Sequence, residues 1–471
     1  MRRAKREIDM LNGPLLPKIV SFATVILLTN LLQYFFHSAD LIVVGQFAGN
    51  VALGAVGATS ALSSLFITMF SGFSVGVSVV CSHTYGAGDE KGFRETVLTS
   101  MSLSLICGGL LAALGFFLSR PILIAMDTAP EFLELSTLYL KIYFLCMPAQ
   151  MFFTYTGAVV RALGNTRTPL IYLATTGAAN VVLNILFVAV FGMSVDGVAL
   201  ATLITQYISA FLLLHHMLTA DAPYRVEKLR FRIVGDKLKK ILYVGIPTGL
   251  HSMIISFANI FIQKTLNSFS PFAVTGAAAA CNMENYIYYF QAALSEAAVN
   301  FIGQNHGAHK FDRIKRIMAI CFIGAIVVGL VTGIGGYLIR DPFLRIFITK
   351  GEGYELAMES GRSRMFYIGA LYFLYGMVNS VIGILSGFGK TLSSTVISVT
   401  GFCGVRILWL MYVFPKKPTL DMLYACYPIS WAISFVAMAV VLVIACRQIF
   451  PKKGSGELTD DDLDAIKYGR S

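Results

Sequence analysis

CSHTYGAGDEKGFRE, residues 81 to 95, returns in altered form as IGQNHGAHKFDRIKR, residues 302 to 316, with Gly86-Ala87 matched by Gly307-Ala308 at a shift of 221. A second landmark keeps nearly the same shift: ALGNTRTP (162 to 169) is echoed by GFGKTLSS (387 to 394), so that Gly164-x-Thr166 meets Gly389-x-Thr391. Two echoes at almost one spacing point to an internal duplication of about half the chain. The longest polar connection, DAPYRVEKLRFRIVGDKLKK (221 to 240), lies between the copies and reads as a linker.

Each copy is built of apolar runs. The chain of 471 residues is 56% hydrophobic and 13% charged, with a mean hydropathy of +0.70, which excludes an ordinary water-soluble globular domain. Twelve runs are long enough to cross about 30 Å of hydrocarbon as helices: 16 to 44, 51 to 80, 96 to 118, 133 to 159, 169 to 191, 197 to 219, 240 to 267, 273 to 302, 315 to 338, 364 to 386, 392 to 414 and 420 to 446. Six fall on each side of the linker. An even number per half makes the halves run in the same direction, related by a pseudo-two-fold axis along the membrane normal, an arrangement typical of transporters that open alternately to the two sides. Small residues in the second run (Gly54, Gly57, Gly72, Gly76) suit close helix packing.

Counted loop by loop with the N-terminus inside, 26 of the 37 Lys and Arg fall on the inner side. The positive-inside rule then places both termini in the cytoplasm, and the net charge of +11 reads as topology and contact with anionic lipid, not nucleic acid. MRRAKREIDM leads into a run too long for a signal h-region, so no cleaved leader is expected. Eight scattered cysteines form no C-x-x-C pair and suggest neither a disulfide framework nor a metal site.

Few ionisable residues lie inside the runs: Asp40, Lys264, Glu284, Glu296 and Arg406, with His251 near a helix start. A carboxylate near mid-bilayer costs roughly 2.5 to 3.5 kcal/mol, so Asp40 in FFHSADLIVVGQFAG calls for a task. Its counterpart under the repeat shift is Phe261 or a neighbour, so the acid belongs to one half only. In that same half Asn180 and Asn184 are four apart in GAANVVLNILF and share a helix face, as do Thr202 and Gln206 in ALATLITQY. Amides are costly in hydrocarbon unless paired. A carboxylate, two carboxamides and a hydroxyl in one bundle can bind a proton or a small cation, or can knit helices together.

With the duplicated six-run pattern, the stretches HSADLIVVGQ, YGAGDEKGFRE and its echo QNHGAHKFDRIK, VVRALGNTRTP, NVVLN, GVALATLITQ, YVGIPTG and FGKT resemble the multidrug and toxic compound extrusion (MATE) family over the chain up to about residue 450. The likeness is greatest to the DinF-like bacterial branch. It implies a V-shaped all-α fold of two six-helix bundles and a secondary antiporter exporting cationic or amphipathic compounds in exchange for protons or sodium ions. It also implies that Asp40, Asn180, Asn184 and Thr202 carry the coupling ion. Asn184 stands where DinF-like relatives often have aspartate. The glutamate and aspartate of the other branch's C-lobe cation site are absent from GLHSMIISFANIF, and GALYFLYGMVNSVIGIL offers only Asn379. The first run has no proline beyond Pro17, hence no proline hinge.

Bulky cations of varied shape are accommodated by apolar and aromatic walls, and Gln33, Tyr34, Met69, Glu284, Tyr286, Tyr289, Gln291 and Asn379 are the candidates by position. Glu284 or Glu296 either attracts a cationic substrate or pairs with Lys264. The expected organisation is an N-lobe over 1–220, a cytoplasmic linker over 221–240, a C-lobe over 241–450 and a disordered cytoplasmic tail over 451–471, in a multi-pass plasma-membrane monomer with no cofactor. A lipid-linked oligosaccharide flippase is the alternative activity; it calls for a larger basic cavity, for which Arg406 alone speaks. No Walker motif, zinc spacing or nucleophile elbow suggests an enzyme.

Overall fold

Inside hydrocarbon every backbone polar group has to be satisfied by the protein itself, and a helix does so within one segment. The computed structural model describes residues 7–126, 128–226 and 230–450, and these are helix and connecting turn with no strand. The tail expected over 451–471 lies outside the described residues. Twelve long helical segments follow in order: α1 Leu15–Ala48, α2 Gly49–Gly86, α3 Glu90–Ala125, α4 in two pieces, Pro130–Leu145 and Met147–Ala162, α5 Arg167–Val190 and α6 Val195–Thr219. Then come α7 Gly235–Asn267, α8 Pro271–Gly307, α9 Phe311–Leu338, α10 in two pieces, Tyr354–Ala370 and Tyr372–Gly387, α11 Thr391–Lys416 and α12 Leu420–Ile449. A short helix, Arg340–Phe347, joins α9 to α10.

Nine of these are long and apolar enough to span a membrane singly, and the bent α4 and α10 raise the number to eleven. The twelfth, α8, has the length at 37 residues but is too polar along its middle, with Asn282, Glu284, Asn285, Gln291 and Glu296. The two breaks differ in origin. α4 bends by 43° beside Pro148, which has no N–H to continue the ladder. α10 bends by 41° without a proline, directly after a π-helical stretch, Met365–Ala370.

The chain groups into two compact units. Unit 1 takes residues 1–256 together with 303–308, and unit 2 takes 257–302 with 309–471. The expected linker is shortened by α7, which begins at Gly235. In unit 1, α2 and α7 touch backbone to backbone: a Cβ on Gly72 would stand 2.3 Å from the nitrogen of Gly249. Such contact needs glycine on both helices.

The echoed segments of sequence also meet. A Cβ on Gly86 would lie 2.0 Å from the carbonyl oxygen of Gln304, and one on Gly307 would lie 2.1 Å from the carbonyl oxygen of His83. His83 and Gln304 differ by the same 221 positions as Gly86 and Gly307, so the two contacts are equivalent under the repeat. The turns that follow are equivalent as well, with Gly88 at φ 70° and His309 at φ 54°, while Gly164 and Gly389 of the second echo adopt φ 94° and 76°.

Candidate functional site

Asp40 lies on α1 in unit 1, half-buried. The four-residue spacing of Asn180 and Asn184 sets both amides on one face of α5, where they are buried, Asn184 completely. Asn184 Nδ2 donates to Asp40 Oδ1 at 2.5 Å and to Asn180 Oδ1 at 3.1 Å. Asn180 Nδ2 in turn donates to the hydroxyls of Thr202 and Thr205 on α6, each at 3.4 Å. The four residues singled out from the sequence are thus one hydrogen-bonded cluster. Thr205 joins them unforeseen; its place three residues beyond Thr202, on the same helical face, was the available signal.

Both hydrogens of the Asn184 amide are used, and its Oδ1 is buried with no hydrogen-bond partner. Asp40 has no cationic side chain paired with it among the described residues. A buried acceptor left over beside an unneutralised carboxylate is a place where a proton or small cation lowers the free energy. Tyr139 and Tyr143 of α4, stacked with centroids 5.6 Å apart, lie within electrostatic reach of Asp40 and wall the cluster. The polar seam continues along α5 and α6, where Ser209 Oγ donates to Thr176 Oγ1 at 2.7 Å. Two π-helical stretches abut the cluster, Val44–Ala48 after Asp40 and Ile185–Val190 after Asn184. π turns recur at functional sites. α1, without a proline hinge, therefore has an irregular turn four residues past its acid.

The other candidates are dispersed. Gln33 is exposed and Tyr34 half-buried on α1, and the backbone of Met69 on α2 abuts Gly249. In unit 2, Tyr286 is exposed, Tyr289 and Asn379 half-buried, and Gln291 buried. The Gln291 amide sits against Gly329 and Gly376 and donates to the carbonyl of Ala325 at 3.0 Å, so it fills the seam between α8, α9 and α10. Glu284 pairs neither with Lys264, which is exposed, nor with open space. It accepts two hydrogen bonds from Arg364, at 2.6 and 2.8 Å, forming a bidentate ion pair in the interior of unit 2.

The MatE family model matches residues 26–186 and again 247–411, one match in each copy of the repeat. Among curated proteins the chain is 26% identical over 425 residues to "Probable multidrug resistance protein YoeA" of Bacillus subtilis, covering 88% of this chain and 90% of that one. It is 27% identical over 408 residues to "Probable multidrug resistance protein YpnP" of the same organism, covering 84% and 88%. Its fold is that of a MOP superfamily transporter from Pyrococcus furiosus, with a TM-score of 0.86, 19% identity and coverage of 99% and 100% of the two chains. Duplicated family match, all-helical architecture and full-length relatives agree, and the chain belongs to the MATE family of membrane transporters.

Proposed function

We propose that this transporter is a secondary antiporter of the plasma membrane, its termini cytoplasmic, which exports cationic or amphipathic compounds by alternating access in exchange for protons or sodium ions. The relatives named for multidrug resistance support the cargo class. The observation that carries the coupling is Asp40 itself, a carboxylate in an apolar span that is hydrogen-bonded to Asn184, has no counter-ion among the described residues, and stands beside an unpartnered amide oxygen. In this reading Asp40 holds the ion, Asn184 and Asn180 orient it, and Thr202 and Thr205 fix Asn180. A site that binds ion in one conformation and releases it in the other converts the inward gradient into export. The remaining candidates, the aromatic and apolar Tyr34, Met69, Tyr286 and Tyr289 with the carboxamides Gln33 and Asn379, would contribute to the path of the cargo; no cofactor and no partner subunit is required.

Uptake of a fluorescent cation into inside-out vesicles, with a proton or a sodium gradient imposed in turn, tests the proposal. One of the gradients should drive uptake, and Asp40→Asn should reduce driven uptake to background while the variant expresses and elutes as the wild type does. Uptake indifferent to both gradients, or undiminished in the variant, would remove the antiport reading or Asp40's part in it.

A further inference from the structure

Arg406 of α11 is buried in unit 2, 3% exposed, and no carboxylate pairs with it among the described residues. Glu284, the one buried acid of unit 2 among the described residues, is already taken by Arg364 in a bidentate pair. Arg406 is held by neutral groups only. Its Nε donates to Ser430 Oγ on α12 at 3.1 Å, and its Nη1 donates to Asn259 Oδ1 on α7 at 3.3 Å. The guanidinium lies over the ring of Tyr427 at 4.1 Å and near that of Phe402 at 5.5 Å. Ser430 is itself fixed, donating to the carbonyl of Tyr427 at 2.7 Å, so its lone pair is turned to the arginine.

The remaining nitrogen, Nη2, has no hydrogen-bond acceptor among the described residues. Buried guanidinium groups are ordinarily neutralised, and ring faces with two neutral oxygens orient a cation without cancelling its charge. Arg406 also lies between two π-helical stretches, Thr400–Gly404 and Trp409–Val413, the pattern that accompanies Asp40 and Asn184 in unit 1. An aromatic group surrounds it: Tyr427 stands 6.0 Å from Trp431, and Tyr375 lies 5.7 Å from Trp431 and 6.3 Å from Phe402.

We propose that Arg406 is an oxyanion-binding residue, with Nη2 and the second Nη1 hydrogen receiving the carboxylate or phosphate of an amphipathic ligand whose apolar part rests against the neighbouring aromatic rings. A planar guanidinium presents two parallel donors that match such an oxyanion, and a ring face behind it favours the same orientation. For its use in transport the assignment rests on the exporter reading, to which it adds anionic amphiphiles as cargo. The binding itself does not depend on ion coupling.

Calorimetric titration of the purified protein in detergent micelles with 2-naphthoate, and with its neutral analogue 2-naphthamide, tests the site. Naphthoate should bind at least about tenfold more tightly than naphthamide, and Arg406→Gln should abolish that preference, whereas Arg406→Lys, which keeps the charge and loses the planar fork, should retain part of it. Equal affinities for acid and amide in the wild type, or a preference that survives Arg406→Gln, would reduce Arg406 to a helix-knitting residue. If Arg406→Gln does not fold, the wild-type preference and its weakening in Arg406→Lys decide the matter. Repeating the titration in nanodiscs of phosphatidylcholine, with and without phosphatidylglycerol, separates the sources: competition by the anionic lipid identifies a headgroup as the natural oxyanion, and indifference identifies a free carboxylate. Retained gradient-driven cation uptake in Arg406→Gln leaves the exporter reading standing apart from this one, and loss of uptake in wild type with intact naphthoate binding does the reverse.

Discussion

Asp40 and Glu284 are both acids in apolar surroundings, and the protein treats them in opposite ways. Glu284 is closed off by the two hydrogen bonds from Arg364, while Asp40 receives an amide and has no basic partner among the described residues. The first arrangement is structural, because removing one partner strands a buried charge. Arg364→Ala should lower stability by about 3 to 5 kcal/mol, read as a fall in thermal midpoint in detergent, and adding Glu284→Gln should recover much of the loss. No recovery in the double variant would mean that the pair is not isolated. The pair was not legible in the sequence because its members are 80 positions apart and nothing in local spacing links them. Asn180 and Asn184 were legible because an interval of four residues on a helix dictates one face. Thr205 obeys the same rule from Thr202, but hydroxyl residues so often bond their own helix that spacing alone does not single one out.

At the scale of elements, the turns after α2 and α8 show how a duplicated backbone outlives a change of residue. Gly88 occupies the left-handed region without strain; its counterpart His309 holds φ 54° with a Cβ present. His309→Gly should therefore stabilise the protein by about 1 kcal/mol, measured by the same thermal shift, whereas an unchanged or lowered midpoint would show that the imidazole earns its place, for example through its ring contact with Phe311 at 5.9 Å. The places of the helices followed from the apolar runs, although α3, at Glu90–Ala125, and α10, from Tyr354 to Gly387, outrun the expected 96 to 118 and 364 to 386; the interruptions did not follow. A π turn costs the sequence no proline and no polar residue, so α1, α5 and α11 read as unbroken runs. The bend in α10 has the same invisibility, and only α4 advertises its bend with Pro148.

For the whole molecule, the proposed orientation rests on the asymmetry of basic residues. Lys315 and Lys417 are both exposed, one at the start of α9 and the other just past α11. In a cysteine-free background, Lys417→Cys should react with a membrane-impermeant maleimide added to intact cells, and Lys315→Cys only after the membrane is opened. The opposite pattern would invert the topology and with it the direction of transport. The duplication was readable because glycines needed for close backbone contact could not drift as the rest of the two copies did. In each echoed segment a glycine faces a peptide carbonyl three positions ahead of its counterpart, Gly86 against Gln304 and Gly307 against His83. Because the partner is main chain, the contact is blind to side-chain identity, and either copy presents both of its parts. Such a surface is self-complementary, as an isologous homodimer interface is: the segment joining α2 to α3 has what it needs to pair with a second version of itself, and the covalent chain supplies that version.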